Sequence, residues 1–174
     1  VTGVQTCALP ICQFLPPADF AELQRELNRY ITQVVPTLPE GDAFYHDRTR
    51  PETLKQMSRI ENEPYFAQYI RHPAWTNLAS ELLGEPATCQ GTEWFNKPPA
   101  TDHPTPPHQD NYYFCLQPPQ VLTMWLALDT VDEENGCLRY VPGSHLEGVR
   151  PHGRTKTLGF SDRKSTRLNS SHQI

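Results

Sequence analysis

The texture of the chain changes at Gly84, and that change constrains the fold more than any single motif. Before it, apolar residues recur at helical spacing. Between Ala18 and Val35 they are Phe20, Leu23, Leu27, Tyr30, Ile31 and Val34, with charge on the opposite face. Pro36 and Pro39 end that run. A second helical region spans 64–83 with Phe66, Ile70, Trp75, Leu78, Leu82 and Leu83; Pro73 divides it and Gly84 stops it. Between the two, 40–50 is expected to be a loop, and PETLKQMSRIE (51–61) a short helix leading into a strand. After Gly84 the residues are those of strands and turns. TCQGTEWFNK (88–97) is rich in aromatics, VLTMWLALDTV (121–131) is a long apolar strand candidate, and a third strand is expected at 137–141. Turns are expected at Glu134-Asn135-Gly136 and Pro142-Gly143. Helices first and strands later predict an α+β fold with the helices packed on one side of a β-sandwich or barrel.

The two ends do not follow this pattern. DRKSTRLNSSH (162–172) can be encoded by a DNA whose reverse complement translates as VTGVQTCALPI, which is residues 1–11. The expectation is that 1–11 and 162–174 are translations of a sequencing adapter read in opposite directions. Residues 12–161 are then a partial domain, helical over 18–84 and β over 88–161.

Setting aside Asp162, Arg163, Lys164 and Arg167 takes the formal charge from -5 to -7. With no Lys/Arg block, that argues against a nucleic-acid partner. No apolar run approaches the roughly 18 residues a membrane span needs, and no secretory signal pattern is visible. The 18 prolines include four pairs (Pro16-Pro17, Pro98-Pro99, Pro106-Pro107 and Pro118-Pro119) between patterned segments, as loop and strand-edge markers. Cys89, Cys115 and Cys137 are widely spaced, which fits a reducing compartment, the cytoplasm, better than a disulfide framework. No nucleophile elbow or P-loop pattern occurs. The sequence gives no indication of oligomeric state.

The chemistry concentrates in TPPHQDNYYF (105–114). On an extended strand His108 and Asp110 would project to the same side. With one more imidazole they would form a 2-His-1-carboxylate set, an arrangement that leaves coordination positions open and suits non-haem Fe(II). A lone HxD is a weak signal, since most such tripeptides are solvated surface. Its neighbours sharpen it: NKPP before, then HQD, a Trp in the next strand candidate, NGCL and PGSH, in that order.

In those motifs the chain resembles the phytanoyl-CoA dioxygenase family of Fe(II)- and 2-oxoglutarate-dependent oxygenases. The resemblance runs over 14–161 and is strongest over 96–145. It implies a double-stranded β-helix, or jelly roll, preceded by helices and here incomplete at its C-terminal side. It implies His108 and Asp110 as metal ligands and catalytic residues, with Fe(II) and 2-oxoglutarate as cofactors. The implied reaction is hydroxylation of a small molecule with O2, coupled to decarboxylation of 2-oxoglutarate to succinate. Halogenating relatives lack the carboxylate, so Asp110 favours hydroxylation.

Other roles are shared with plainer readings. Trp125 stands where the family places an aromatic beside 2-oxoglutarate, and is equally well a core Trp. Asn96 and Lys97 can reach cosubstrate or substrate, or simply form the turn before Pro98. Lys55 aligns loosely with a basic residue that helps to hold the oxoacid. Tyr112, Tyr113 and Phe114 are candidates for the substrate pocket, some of them packing in the core instead.

The resemblance also implies a distal His, and an Arg about ten residues beyond it whose fork pairs with the far carboxylate of 2-oxoglutarate. His145 belongs to the PGSH turn and His152 to a Pro/Gly-flanked loop, so neither is the expected ligand. Both missing groups are expected to be encoded past Ser161. A chain without them is expected to show negligible turnover, and sheet edges without partners predict poor solubility. Two other readings remain open. One is a cupin-like isomerase or metal hydrolase using the same HxD. The other is a metal-free jelly-roll module binding carbohydrate on Trp94, Tyr112 and Trp125.

Overall fold

The computed structural model describes residues 10–39, 41–100, 105, 107–116, 118 and 120–151. Most of the two adapter-like ends, together with His152 and the side chain of His145, lies outside the described residues. The protein has an α+β fold whose described residues form two compact units. The first gathers Pro10–Thr76 and Thr88–Thr101; the second holds Asn77–Ala87 and the described residues from 105 onward.

The first unit begins with α1 (Pro17–Arg29), which has Pro17 at its first position, Asp19 in the first turn and Arg29 in the last. That charge order complements the helix dipole. Its apolar stripe buries Leu23 and Leu27. The chain then loosens into a π-turn over Tyr30–Val34 and a 3-10 turn over Val35–Thr37 that contains Pro36. Proline has no N–H to continue the ladder, so the helix ends there.

Next come β1 (Ala43–Tyr45) and β2 (Leu54–Met57), paired antiparallel as Ala43↔Met57, Phe44↔Gln56 and Tyr45↔Leu54, with an irregularity between Phe44 and Tyr45. Thr53 closes the connection. Its hydroxyl donates to the Asp47 carbonyl at 2.8 Å and accepts from the Asp47 N–H at 3.0 Å. At the other end Ser58 N donates to Asp42 O at 2.9 Å, and the Arg59 guanidinium is bonded to the buried Asp42 carboxylate. β3 (Trp94–Phe95) pairs antiparallel with β2 through Gln56↔Phe95 and Met57↔Trp94, so β2 is the central strand of three.

α2 (Pro64–Tyr69) is capped by Glu63, which accepts from Tyr65 N at 2.8 Å and takes Arg29 Nη2 at 2.5 Å. One carboxylate thus starts α2 and ties it to α1. The core of this unit is Leu23, Leu27, Tyr30, Val35, Ala43, Leu54, Met57, Ile60 and Phe66. Tyr30 meets Phe66 edge-on at 5.4 Å, a favoured aromatic geometry. Burial pushes the nearby Tyr69 phenol well above its usual range. α3 (Pro73–Leu83) starts in this unit and ends in the second at Gly84, whose φ of +77° suits a residue without Cβ.

In the second unit α4 (Asp110–Phe114) is followed by 121–128, then by a turn built on Asp132. Asp132 Oδ1 accepts from Glu134 N at 2.9 Å and Asn135 N at 3.0 Å, while Gly136 takes φ +88°. A second turn at Gly143 (φ +77°) opens a 3-10 turn over Ser144–Glu147.

The helices between Pro17 and Leu83, the Pro73 break, the Gly84 stop and the helix-then-strand reading of 51–61 match the sequence expectations, whereas α4 forms where extended backbone was expected. Four details differ. The expected loop at 40–50 contains β1. The β-like stretch 88–97 pairs only through Trp94–Phe95. Segments 121–131 and 137–141 join no sheet, and the three-stranded sheet is the one sheet among the described residues. His108–Asp110 does not lie on a continuous strand. The reason is common to all four: strand propensity makes a segment extended, but only a partner at the right register makes it a strand.

Candidate metal site

The HxD motif sits at a junction between extended backbone and helix. Gln109, at φ -126° and ψ 123°, is extended and precedes α4 without capping it, and Asp110 is the first residue of that helix. The two side chains still converge, with His108 Nε2 3.3 Å from Asp110 Oδ1. His108 is the more enclosed, its side chain 16% exposed against 39% for Asp110. Tyr113 lies against the imidazole, ring centroids 6.1 Å apart at 70°, and Tyr112 packs edge-on to Tyr113 at 5.4 Å.

The second oxygen of Asp110 is also engaged: Thr123 Oγ1, thirteen residues downstream, donates to Oδ2 at 2.7 Å. The His108 imidazole foremost, then the Thr123 hydroxyl, hold the Asp110 carboxyl below its usual range against the opposing effect of desolvation. The side chain therefore stays an anion around neutral pH, the form a metal ligand requires.

Gln109, between the two, points elsewhere. Its Nε2 donates to Gly148 O at 3.0 Å and its Oε1 accepts from Arg150 N at 2.7 Å. A side-chain amide thus imitates a strand partner and brings 148–150 beside the motif.

The segment 121–128 passes the other side of Asp110. Leu122, Met124, Leu126 and Leu128 are half-buried, while Thr123, Trp125 and Ala127 are exposed. This is the two-residue period of an extended chain. Trp125 therefore shares the side of the segment that Thr123 turns to Asp110. It is 50% exposed, which excludes a core role among the described residues.

The remaining predicted residues fall in the first unit. Lys55 lies on the central strand β2, half-exposed, and its carbonyl accepts from Asn96 N at 2.7 Å. Asn96 Nδ2 donates to Leu54 O at 3.0 Å, so this amide extends the β2–β3 pairing. Lys97 is exposed. Lys55 and Asn96 thus face each other across the β2–β3 pairing, with Lys97 next in the chain, and His108, Asp110, Tyr112, Tyr113 and Trp125 belong to the second unit. Trp94, on β3, belongs to the first unit, while Tyr112 and Trp125 belong to the second. A separate cleft of about 380 Å³, lined by His46, Arg50, Glu52, Thr53, Pro99 and Ala100, contains none of the predicted site residues.

The donor pair suits a divalent first-row metal. Two donors, each about 2.1 Å from one ion and roughly at right angles, stand about 3 Å apart. Nε2 and Oδ1, 3.3 Å apart, stand at a separation of that order. Among the described residues no group of three or more His, Cys, Asp and Glu side chains is placed to hold a metal ion. Sequence reading missed Thr123 and Gln109. A Gln inside HxD reads as a spacer, and a Thr in an apolar run reads as surface; only the three-dimensional register gives either a role.

The family model described as phytanoyl-CoA dioxygenase (PhyH) matches residues 7–172. The chain is 32% identical over 157 residues to the peroxisomal phytanoyl-CoA dioxygenase of Bos taurus, covering 83% of this chain and 46% of that protein. It is 24% identical over 163 residues to the human protein of the same name, covering 87% and 48%. It is 29% identical over 115 residues to a probable phytanoyl-CoA dioxygenase of Caenorhabditis elegans, covering 62% and 37%. The chain thus spans less than half the length of these curated relatives. No solved structure matches it significantly.

Proposed function

The chain belongs to the phytanoyl-CoA dioxygenase family, and on that premise we propose that the longer protein is an Fe(II)- and 2-oxoglutarate-dependent oxygenase that hydroxylates a small organic molecule. The observation that supports this reading is the close approach of His108 Nε2 and Asp110 Oδ1, 3.3 Å apart. His108 and Asp110 would hold the iron. Bound there, iron and 2-oxoglutarate would supply the oxidising chemistry, consuming O2 and releasing succinate and CO2.

The chain's own residues prepare that centre. His108 would offer the ion a nitrogen and Asp110 an anionic oxygen. Trp125, on the Thr123 side of its segment, is assigned to the cosubstrate. Lys55, with Asn96 and Lys97 beside it, is the cationic group assigned to the oxoacid, and Tyr112 and Tyr113 are assigned to the substrate. A third imidazole and the carboxylate-binding Arg are assigned to the part of the longer protein that this chain does not span, as are the strands that complete a jelly roll. The free thiols of Cys89, Cys115 and Cys137 support a cytoplasmic location. The names of the bovine and human relatives favour the peroxisome as a second reading.

The test uses the full-length protein. Asp110→Ala is expected to abolish 2-oxoglutarate-dependent succinate formation and to weaken Fe(II) binding, measured by calorimetry without oxygen. Unchanged metal affinity in that variant removes the metal site. Metal binding without any 2-oxoglutarate consumption returns the protein to the cupin-like alternative.

A further inference from the structure

An aspartate that serves as a metal ligand has two equivalent oxygens on a weakly restrained final torsion. Left alone, it can offer either oxygen or both, and the choice alters the affinity and geometry of the site. In this chain the choice is already made. Asp110 Oδ2 accepts the Thr123 hydroxyl at 2.7 Å. Oδ1 remains, turned toward His108 Nε2.

The donor comes from a different segment, thirteen residues away, so the bond also fixes how 121–128 lies against the motif. Because side chains alternate along extended backbone, docking Thr123 on Asp110 sets Trp125 on the same side. A threonine can do this where valine, of nearly the same shape, cannot: it presents an O–H donor to a carboxylate that has no proton of its own.

We propose that Thr123 is a positioning residue of the metal site, its hydroxyl holding Asp110 Oδ2 so that Oδ1 alone is presented to the metal beside His108 Nε2. The inference rests on the metal-site reading above. Hydrogen-bonded partners of ligating carboxylates are worth about 10- to 100-fold in metal affinity, which sets the size of the expected effect.

The experiment is Co(II) titration of the full-length protein, followed by calorimetry and by the visible absorption of bound Co(II), with Thr123→Val, Thr123→Ser, Thr123→Ala and Asp110→Ala. Thr123→Val and Thr123→Ala are expected to weaken Co(II) binding about 10-fold or more and to shift the absorption bands as the carboxylate mode changes. Thr123→Ser, which keeps the hydroxyl, is expected to restore both affinity and spectrum. A merely structural role would lower thermal stability without a spectral change rescued by serine. If Thr123→Val binds Co(II) with native affinity and spectrum while Asp110→Ala loses it, the metal site stands and the role of Thr123 is overturned. If Asp110→Ala keeps native Co(II) affinity, the site itself falls and the inference falls with it.

Discussion

Met57 is 0% exposed at the C-terminal end of the central strand, with Ala43 opposite it on one side and Trp94 on the other. Truncating it opens a void that a three-stranded sheet cannot close without breaking a ladder. Met57→Ala is therefore expected to cost about 2–5 kcal/mol, read as a lowered urea midpoint at unchanged slope. A loss under about 0.5 kcal/mol, the range of surface sites, would mean that the sheet does not organise the core. At the same scale, His108 and Asp110 stand out in the sequence as a candidate pair because residue type and order alone mark them. Thr123 does not. Its value comes from meeting Asp110, and that meeting is set by how two segments thirteen residues apart dock, which no local pattern encodes.

Among the elements, helices were easier to read than strands because a helix satisfies its own backbone. The stripe in α1 and the prolines at 64 and 73 are local signals, and so is Gly84. At Gly84 a Cβ would meet nothing within 4 Å, yet φ is +77°. Replacing it should therefore incur only the conformational penalty of a left-handed backbone. Gly84→Ala is expected to cost about 1 kcal/mol, seen as a small drop in thermal midpoint with unchanged helical circular dichroism. Gly84→Asn, which tolerates that region better, should lose less. An Ala variant as stable as the parent would show that the helix does not end there. Strands lack such autonomy. β1 is three residues long and exists because β2 lies alongside it, so no period marks it in the sequence. The opposite error occurred at 121–131, whose composition and alternation are those of a strand while no ladder forms.

Across the whole molecule, burial is uneven. Every fully buried side chain among the described residues lies between Leu23 and Pro98. The second unit instead exposes Tyr113, Phe114, Leu116, Trp125, Leu138, Val141 and Leu146. Apolar area left in water contributes nothing to folding free energy, so stability should reside in the first unit. Hydrogen exchange reads this directly. Amides of Leu54–Met57 are expected to exchange only through global opening. Those of 122–127 in this chain should show protection factors on the order of one, because an extended segment without a ladder leaves its N–H groups to water. The reading proposed for the longer protein, in which further strands complete a jelly roll around His108 and Asp110, makes the complementary demand. There, alternate amides of 122–127 should become protected as their N–H groups enter a ladder, and Trp125 fluorescence should lose its access to aqueous quenchers. Slow exchange of 122–127 already in this chain would mean that the segment has found a partner of its own. Unprotected amides in the full-length protein would mean that its alternating pattern belongs to a surface strap and not to a strand of the site.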